Sequence, residues 1–524
     1  MLHDLLVTLP IWLTVVVGCF LLLLDTVPGT EGASKRYLGA ISAGGAAASL
    51  FAVWLLWGRA TGSLDTPMFQ LMMTMGTFEL AACSVILVIT LFVSLMAAEH
   101  AEEQGFGHGE FYALIHFGAF GMMVMVTATH LATLFVGLEI MSIAVYVLAA
   151  VKRSSPLSAE AGLKYFVLGA FASGILLFGS AYLYGETGQL SYSGIAAALA
   201  SKTEPTGYLG LALALLGVAF GFKIALVPFH MWTPDVYAGS PPPVAAFMAT
   251  GVKTAAVIGM ARLFAQAMPA EVTGSFQKDF LDGMSLFAIL TILAGNAIAL
   301  HQTSLKRMLG YSSIAHAGYL VIGVMAAHRG GGDLGPVLFY LFTYALANLA
   351  VFAVITSLVR SASVADEDVT VDHVAGLSRR NPIAALVLAV GLLSLAGVPP
   401  TAGFFGKLQL FGAALATDGE GQTRFLWLVC VAMLGSVISV YYYLRVIVAA
   451  YMREPEPGQL PAPGRGLALT MALTALATVW VGFFPGQTIA MSAGIIDKPS
   501  IATQAPPAPT VAGQPSPEAS PNDG

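Results

Sequence analysis

Apolar stretches of bilayer-spanning length recur along this chain, separated by short polar or Gly/Pro-rich connections. A helix of about 20 residues, rising 1.5 Å per residue, crosses a hydrocarbon core of roughly 30 Å. Such stretches fall at 5–25, 37–58, 78–98, 111–128, 131–150, 162–184, 207–227, 244–267, 281–301, 311–327, 336–360, 383–414, 424–447 and 464–485. Lipid offers no partner to free backbone groups, so runs of this length are helices. The pattern predicts an all-α polytopic membrane protein with about 14 transmembrane helices. From residue 497 the chain turns to Pro, Ala, Ser and Thr, a composition that cannot bury a core and reads as a disordered tail.

Two of the runs are interrupted. The seventh carries Lys223 and then Pro228, which removes a backbone donor and clashes one turn back. The twelfth is broken by Gly397-Val398-Pro399-Pro400-Thr401-Ala402-Gly403, with Lys407 soon after. Paired breaks of this kind are the pattern of transporters built from inverted repeats, whose sites lie near the midplane. An odd number of helices separates the two breaks, so a five-helix unit repeated once would be inverted. The expected architecture is therefore two inverted five-helix repeats, helices 4–8 and 9–13, with broken helices 7 and 12. In residues, helices 1–3 occupy 1–110, the repeats 111–267 and 281–447, the final helix 448–496 and the tail 497–524.

Composition sharpens the class. Of 524 residues 57% are hydrophobic and only 10% charged, with mean hydropathy +0.79, whereas a soluble domain carries about 25% charged residues. The net charge of −6 offers no basic face, so nucleic acid is set aside. Cys19, Cys83 and Cys430 stand singly in apolar runs, without the spacing of a zinc site or an iron–sulfur cluster. No glycine-rich phosphate loop follows a strand, so nucleotide binding has no support. The first apolar run lacks a basic leader and a small-residue cleavage site, and is expected to be retained as a span. With the N-terminus outside, eleven Lys and Arg fall in inner loops, among them Lys306 and Arg307. Seven fall in outer loops, among them Arg262. That bias predicts both termini on the outer side.

Charges inside apolar runs are costly: a Lys or Asp at the centre of a membrane helix costs about 2.5–3.5 kcal/mol on insertion scales. Glu139 is the acid placed deep in a span, on the fifth helix. It reads either as a polar staple bonded to Ser142 or as a proton site or lysine counter-ion. Lys164, Lys223, Lys253 and Lys407 lie on helices 6, 7, 8 and 12. Snorkelling to the interface suits Lys164, near its helix start, better than the other three. A desolvated lysine can exchange its proton where a guanidinium stays charged, so these residues suit a relay. His230, after the first break, and His316 are further relay candidates, while His116 and His301 read as packing residues. No histidine has a carboxylate or Cys neighbour at metal-ligand spacing.

The run Val227-Pro228-Phe229-His230-Met231-Trp232-Thr233-Pro234-Asp235-Val236-Tyr237, followed by Pro243-Val244-Ala245-Ala246-Phe247, closely resembles the antiporter-like membrane subunits of respiratory complex I. Leu305 to Tyr319, Leu-Lys-Arg-Met-Leu-Gly-Tyr-Ser-Ser-Ile-Ala-His-Ala-Gly-Tyr, resembles the same family. The Thr-Pro-Asp-Val-Tyr wording is similar to the N type of bacterial NADH-quinone oxidoreductase rather than its L or M relatives. The likeness covers roughly helices 4–13. It implies a fourteen-helix proton channel that moves protons as NADH reduces quinone in other subunits. FMN, iron–sulfur clusters and quinone would then belong to partner subunits, with no cofactor in this chain. Implied neighbours are the lipid bilayer, the antiporter-like subunits M and L, and the small subunits K, J and A, in a bacterial inner membrane with periplasmic termini. The family's key residues carry over as Glu139, Lys164, Lys223, Lys253 and Lys407. The chain departs from its relatives at Ala238, where an acid commonly follows the tyrosine, and in its Pro/Ala-rich tail. A subunit of a multi-subunit sodium/proton antiporter would share the fold and the buried lysines, and a structural membrane subunit without a proton path is the third reading.

Overall fold

The computed structural model describes residues 2–27, 35–57, 68–70, 72–202, 204–329, 332–361, 369–417, 422–455 and 463–492. The tail expected to be disordered lies outside these residues. The long helices, in chain order, are α1 (Leu9–Asp25), α2 (Arg36–Trp57), α3 (Thr77–Glu103), α4 (Gly109–Thr127), α5 (Leu131–Ala149), α6 (Pro156–Thr187) and α7 (Gly207–Ile224). They continue as α8 (Pro242–Ala267), α9 (Phe276–Ala299), α10 (Leu305–Arg329), α11 (Gly335–Ser361), α12a (Pro382–Ala396), α12b (Ala402–Leu415), α13 (Gln422–Met452) and α14 (Arg465–Phe483). Among the described residues, 12 helices are long and apolar enough to cross a membrane, and α1 and α12a are shorter apolar helices. Each apolar run of the sequence thus has its helix, and the chain is a multi-pass, all-helical membrane protein.

Local sequence sets the helix ends. Ser155 caps α6 by accepting from Ser158 N–H, with Pro156 in the first turn, and Gly188 closes it in the left-handed conformation (φ 66°). Asn381 caps α12a through Ala384 N–H. Both interrupted helices stop the same way, α7 at Ala225 (φ 65°) and α12a at Gly397 (φ 84°), each a left-handed C-cap. Past the first break the chain resumes as a short helix, Trp232–Gly239, before α8.

Burial separates centre from rim. The hydrophobic window of α8 is 100% buried and those of α10 and α11 are 94% buried, against 33% for α6 and 39% for α9, α13 and α14. The rim helices expose large apolar side chains, Phe166, Phe171 and Phe178 on α6 and Trp427 on α13 among them. An apolar outer face is what a hydrocarbon solvent demands of a bundle. Close backbone approach binds the hairpin of α4 and α5 at Gly121: a Cβ there would lie 2.5 Å from Met141 N, so no larger residue fits the crossing.

Two placements differ from the loop reading of the charges. Arg262, assigned to an outer loop, is fully buried inside α8 and pairs with Glu79 at the start of α3. Lys306, assigned to an inner loop, is a fully buried residue in the first turn of α10, which begins six residues earlier than hydropathy suggested. Its ammonium donates to Ser240 O at 2.8 Å, and the charge that made the turn look like a loop is satisfied within the protein.

Candidate functional site

Lys223 is the second-last residue of α7, buried where the helix stops. Its Nζ donates to Ser142 Oγ at 2.7 Å and to Tyr146 OH at 2.9 Å, both on α5. Ser142 Oγ in turn donates to Leu138 O. Ser142 therefore serves the lysine rather than Glu139, contrary to the staple geometry. Glu139 is half-buried and within electrostatic reach of Lys223, yet the two form no ion pair, and among the described residues Glu139 Oε1 has no hydrogen-bond partner.

Lys253 opens the regular part of α8 directly after a π-helical turn, Met248–Val252, a distortion often found at functional positions. Its Nζ donates to Ser313 O and Ser313 Oγ on α10, each at 2.5 Å. Lys407, on α12b past the second break, donates to Ala396 O and Ser436 Oγ, each at 2.7 Å. Gly397 clears the way for this side chain: a Cβ there would lie 2.9 Å from Lys407 Cδ.

These three lysines share one chemistry. Each is buried, and each donates to two neutral oxygens, with no carboxylate among its hydrogen-bond partners in the described residues. An ammonium has three N–H donors and an amine has two plus a lone pair. Two neutral acceptors satisfy the amine completely and leave the third position of the nitrogen for an exchangeable proton. The buried Arg262 is the contrast, held by a carboxylate, Glu79, and by Thr74 Oγ1 at 2.9 Å.

Between Lys253 and Lys407 lies a cluster of hydrogen-bonded polar side chains. Ser312, next to the serine that holds Lys253, bonds to Tyr443 OH. Tyr443 OH lies 3.3 Å from His316 Nε2, and His316 Nδ1 is 2.6 Å from Tyr340 OH. His316 is in electrostatic reach of both Lys253 and Lys407. It lines, with Tyr340, Tyr344 and Lys407, a small cavity with room for about one water molecule. Next to Lys223 the contacts are aromatic instead. Tyr146 meets Tyr165 (centroids 4.8 Å apart) and Tyr165 stacks on Trp232 (4.4 Å).

Lys164 is different in kind. Its side chain is 39% exposed in the isolated chain, and its Nζ pairs with Glu160 (2.5 Å) and Asp235 (2.9 Å). His230 is half-buried after the break, and among the described residues no hydrogen bond joins it to a lysine. The structure thus brings His316, and not His230, into contact with the lysine network. Ser142 was read from the sequence only as a partner of Glu139, and Tyr146, Ser313, Ser436, Tyr340 and Tyr443 were not singled out, because a hydroxyl in an apolar helix carries no insertion cost that would mark it. Asp235 stood in the quoted motif, and its opposite charge to Lys164 was the available signal.

The family model described as NADH:quinone oxidoreductase/Mrp antiporter, TM, matches residues 128–439, which contain every residue of this network except Tyr443. A protein of Chloroflexus aggregans named NADH-quinone oxidoreductase subunit N is 39% identical over 495 residues, covering 93% of this chain and 96% of its own. A chain of respiratory complex I from Thermus thermophilus, solved with bound aureothin, aligns with TM-score 0.74 and 31% identity, covering 93% of this chain and all (100%) of that one. A chain of the Mrp complex of Dietzia sp. aligns with TM-score 0.79 over 94% of this chain and 96% of its own, at 21% identity, a likeness of fold alone. With the family model spanning more than half of the chain and the subunit N relative nearly all of it, the protein belongs to the NADH:quinone oxidoreductase/Mrp antiporter transmembrane family, on the branch of NADH-quinone oxidoreductase subunit N.

Proposed function

We propose that this chain is a proton-translocating membrane subunit of a bacterial NADH:quinone oxidoreductase, carrying protons through Lys223, Lys253 and Lys407 while quinone is reduced elsewhere in the complex. The observation that carries this reading is the coordination of those lysines: each is buried on two neutral oxygens, so that neither protonation state is locked by a counter-ion. Glu139 acts on Lys223 through space. In a low-dielectric interior a carboxylate nearby favours the ammonium, and its neutralisation or withdrawal releases the proton. His316, with Tyr443 and Tyr340, passes the proton between Lys253 and Lys407. Lys164, ion-paired near the helix start, sets the charge at the entrance side.

The chain works in the inner membrane as one of several antiporter-like subunits, beside those of the M and L type and the small subunits K, J and A. FMN, iron–sulfur clusters and quinone belong to partner subunits, and this chain holds no redox centre. Residues 111–267 and 281–447 form two inverted repeats, each with one interrupted helix. The left-handed C-caps at Ala225 and Gly397 support that equivalence.

Glu139→Gln and Lys223→Ala test the reading. Both should cut NADH-driven proton uptake and quinone reduction together in membranes holding equal amounts of assembled complex. Uptake at the wild-type rate in both variants would leave a structural role as the better account.

A further inference from the structure

The polar cluster between Lys253 and Lys407 does not include Lys223, whose partner Tyr146 packs on Tyr165, and Tyr165 on Trp232. One short element nevertheless touches the surroundings of three lysines at once. It is the eight-residue helix Trp232–Gly239 that follows the break in α7. At its start, the Trp232 indole N–H donates to Phe222 O at 3.0 Å, on the residue just before Lys223. In its middle, Asp235 Oδ2 takes Lys164 Nζ at 2.9 Å. Toward its end, Tyr237 OH lies 3.5 Å from Ser313 Oγ, the hydroxyl that holds Lys253.

Asp235 also has a second cation. Its Oδ1 accepts from Arg307 in the first turns of α10 at 2.6 Å, while Lys164 has a second anion, Glu160, on its own helix. The four charges alternate, Glu160, Lys164, Asp235, Arg307, so a change at Lys164 alters how Asp235 is shared between α6 and α10. An eight-residue helix is a rigid rod of about 12 Å. Displacing Asp235 therefore displaces Trp232 and Tyr237 with it.

We propose that the helix Trp232–Gly239 is the element through which Lys164, Lys223 and Lys253 sense one another, with Asp235 as the positioning residue that holds it between α6 and α10. This rests on the proton-carrying role proposed for Lys223. Coupling of this kind has a physical carrier, a packed rigid element whose position both ends bias, rather than a chain of exchanging protons.

The test uses the whole complex in native membranes, with NADH and a soluble quinone, and reads proton uptake per assembled complex. Asp235→Asn should lower uptake by about 2- to 30-fold, the span seen for residues that carry coupling without touching a ligand. Asp235→Glu should restore most of it. Because Asp235→Asn leaves Arg307 without its carboxylate, Asp235→Asn combined with Arg307→Gln is the control for misfolding. The double variant should stay low. Trp232→Phe, which keeps an aromatic ring and removes the N–H that bonds Phe222 O, should also be impaired. Lys223→Ala serves as reference. Wild-type uptake in Asp235→Asn and Trp232→Phe, with Lys223→Ala impaired, would overturn the coupling role and leave the lysine reading standing. Recovery in the double variant would also overturn it, assigning the defect to an unpaired Arg307. Wild-type uptake in Lys223→Ala would overturn both.

Discussion

A buried lysine that can exchange a proton must be comfortable in two states, and among the described residues the hydroxyls and backbone carbonyls that accept from Lys223, Lys253 and Lys407 satisfy that condition with neutral oxygens. Lys407 depends further on the absence of a side chain at Gly397, where φ is 84° and a Cβ would press on Lys407 Cδ. Gly397→Ala should therefore strain the break by about 1–3 kcal/mol and push the ammonium off Ala396 O and Ser436 Oγ. The expected outcome is a several-fold loss of proton uptake, of order 10-fold for each 1.4 kcal/mol by which the transfer geometry is disfavoured. Gly412→Ala, on the half-helix that carries Lys407 but with nothing within 4 Å of a Cβ, should pump normally. At this scale the sequence was informative about charges and silent about their acceptors. Lys223, Lys253 and Lys407 stand out because a charge in an apolar run is expensive. Ser142 and Ser436 look like any small polar residue in a membrane helix until the partner helix is in place.

At the scale of elements, α8 is held from two sides. Lys253 ties its middle to α10, and Arg262 ties its C-terminal part to α3 through Glu79 and Thr74. Glu79 also caps its own helix, with Oε2 accepting Gly76 N–H at 2.9 Å. Removing one partner of such a pair strands a buried charge, which costs about 3–5 kcal/mol, whereas replacing both with apolar residues is often neutral. Glu79→Gln should accordingly lower the midpoint of thermal inactivation of the complex and the amount assembled, while Glu79→Leu with Arg262→Met should recover both. Equal stability of the two variants would show that the pair does not clamp α3 to α8. This clamp was not legible in the sequence. Arg262 lies near the end of an apolar run, where a snorkelling or loop arginine is expected, and its partner is 183 residues away. The break in α12 was legible at its start, where α12a ends at Ala396, although the break read as Gly397 to Gly403 closes earlier, at Ala402. The first break was placed at Pro228, whereas α7 already ends at Ile224. Proline disfavours the helical conformation in the residue before it, and the chain adopts the left-handed turn at Ala225 to enter the break.

For the whole molecule, the bilayer makes the architecture readable: segment length and hydropathy leave little choice but a helical bundle, and each apolar run has its helix. Burial then sorts α8, α10 and α11 to the centre, where Lys253 and His316 reside. The Lys and Arg bias that predicts the orientation survives moving Lys306 from the inner loops and Arg262 from the outer loops into helices. Both termini are predicted on the periplasmic side. A cysteine placed in the Pro/Ala-rich tail should be labelled by an impermeant reagent in spheroplasts without opening the inner membrane. Labelling only after the membrane is opened to the cytoplasm would reverse the topology. If redox chemistry is confined to partner subunits, as proposed, the purified chain should show no stoichiometric chromophore or iron.

The central claim, that a proton leaves and returns to the lysine at the break of α7, is tested most directly by Lys223→Arg. A guanidinium keeps the charge and the hydrogen-bonding capacity and does not give up its proton. The measurement is NADH-driven proton uptake and quinone reduction in membranes containing equal amounts of assembled complex. The account predicts that Lys223→Arg assembles normally and remains as impaired as Lys223→Ala. Pumping by Lys223→Arg at the wild-type rate would contradict it, because a fixed charge would then suffice.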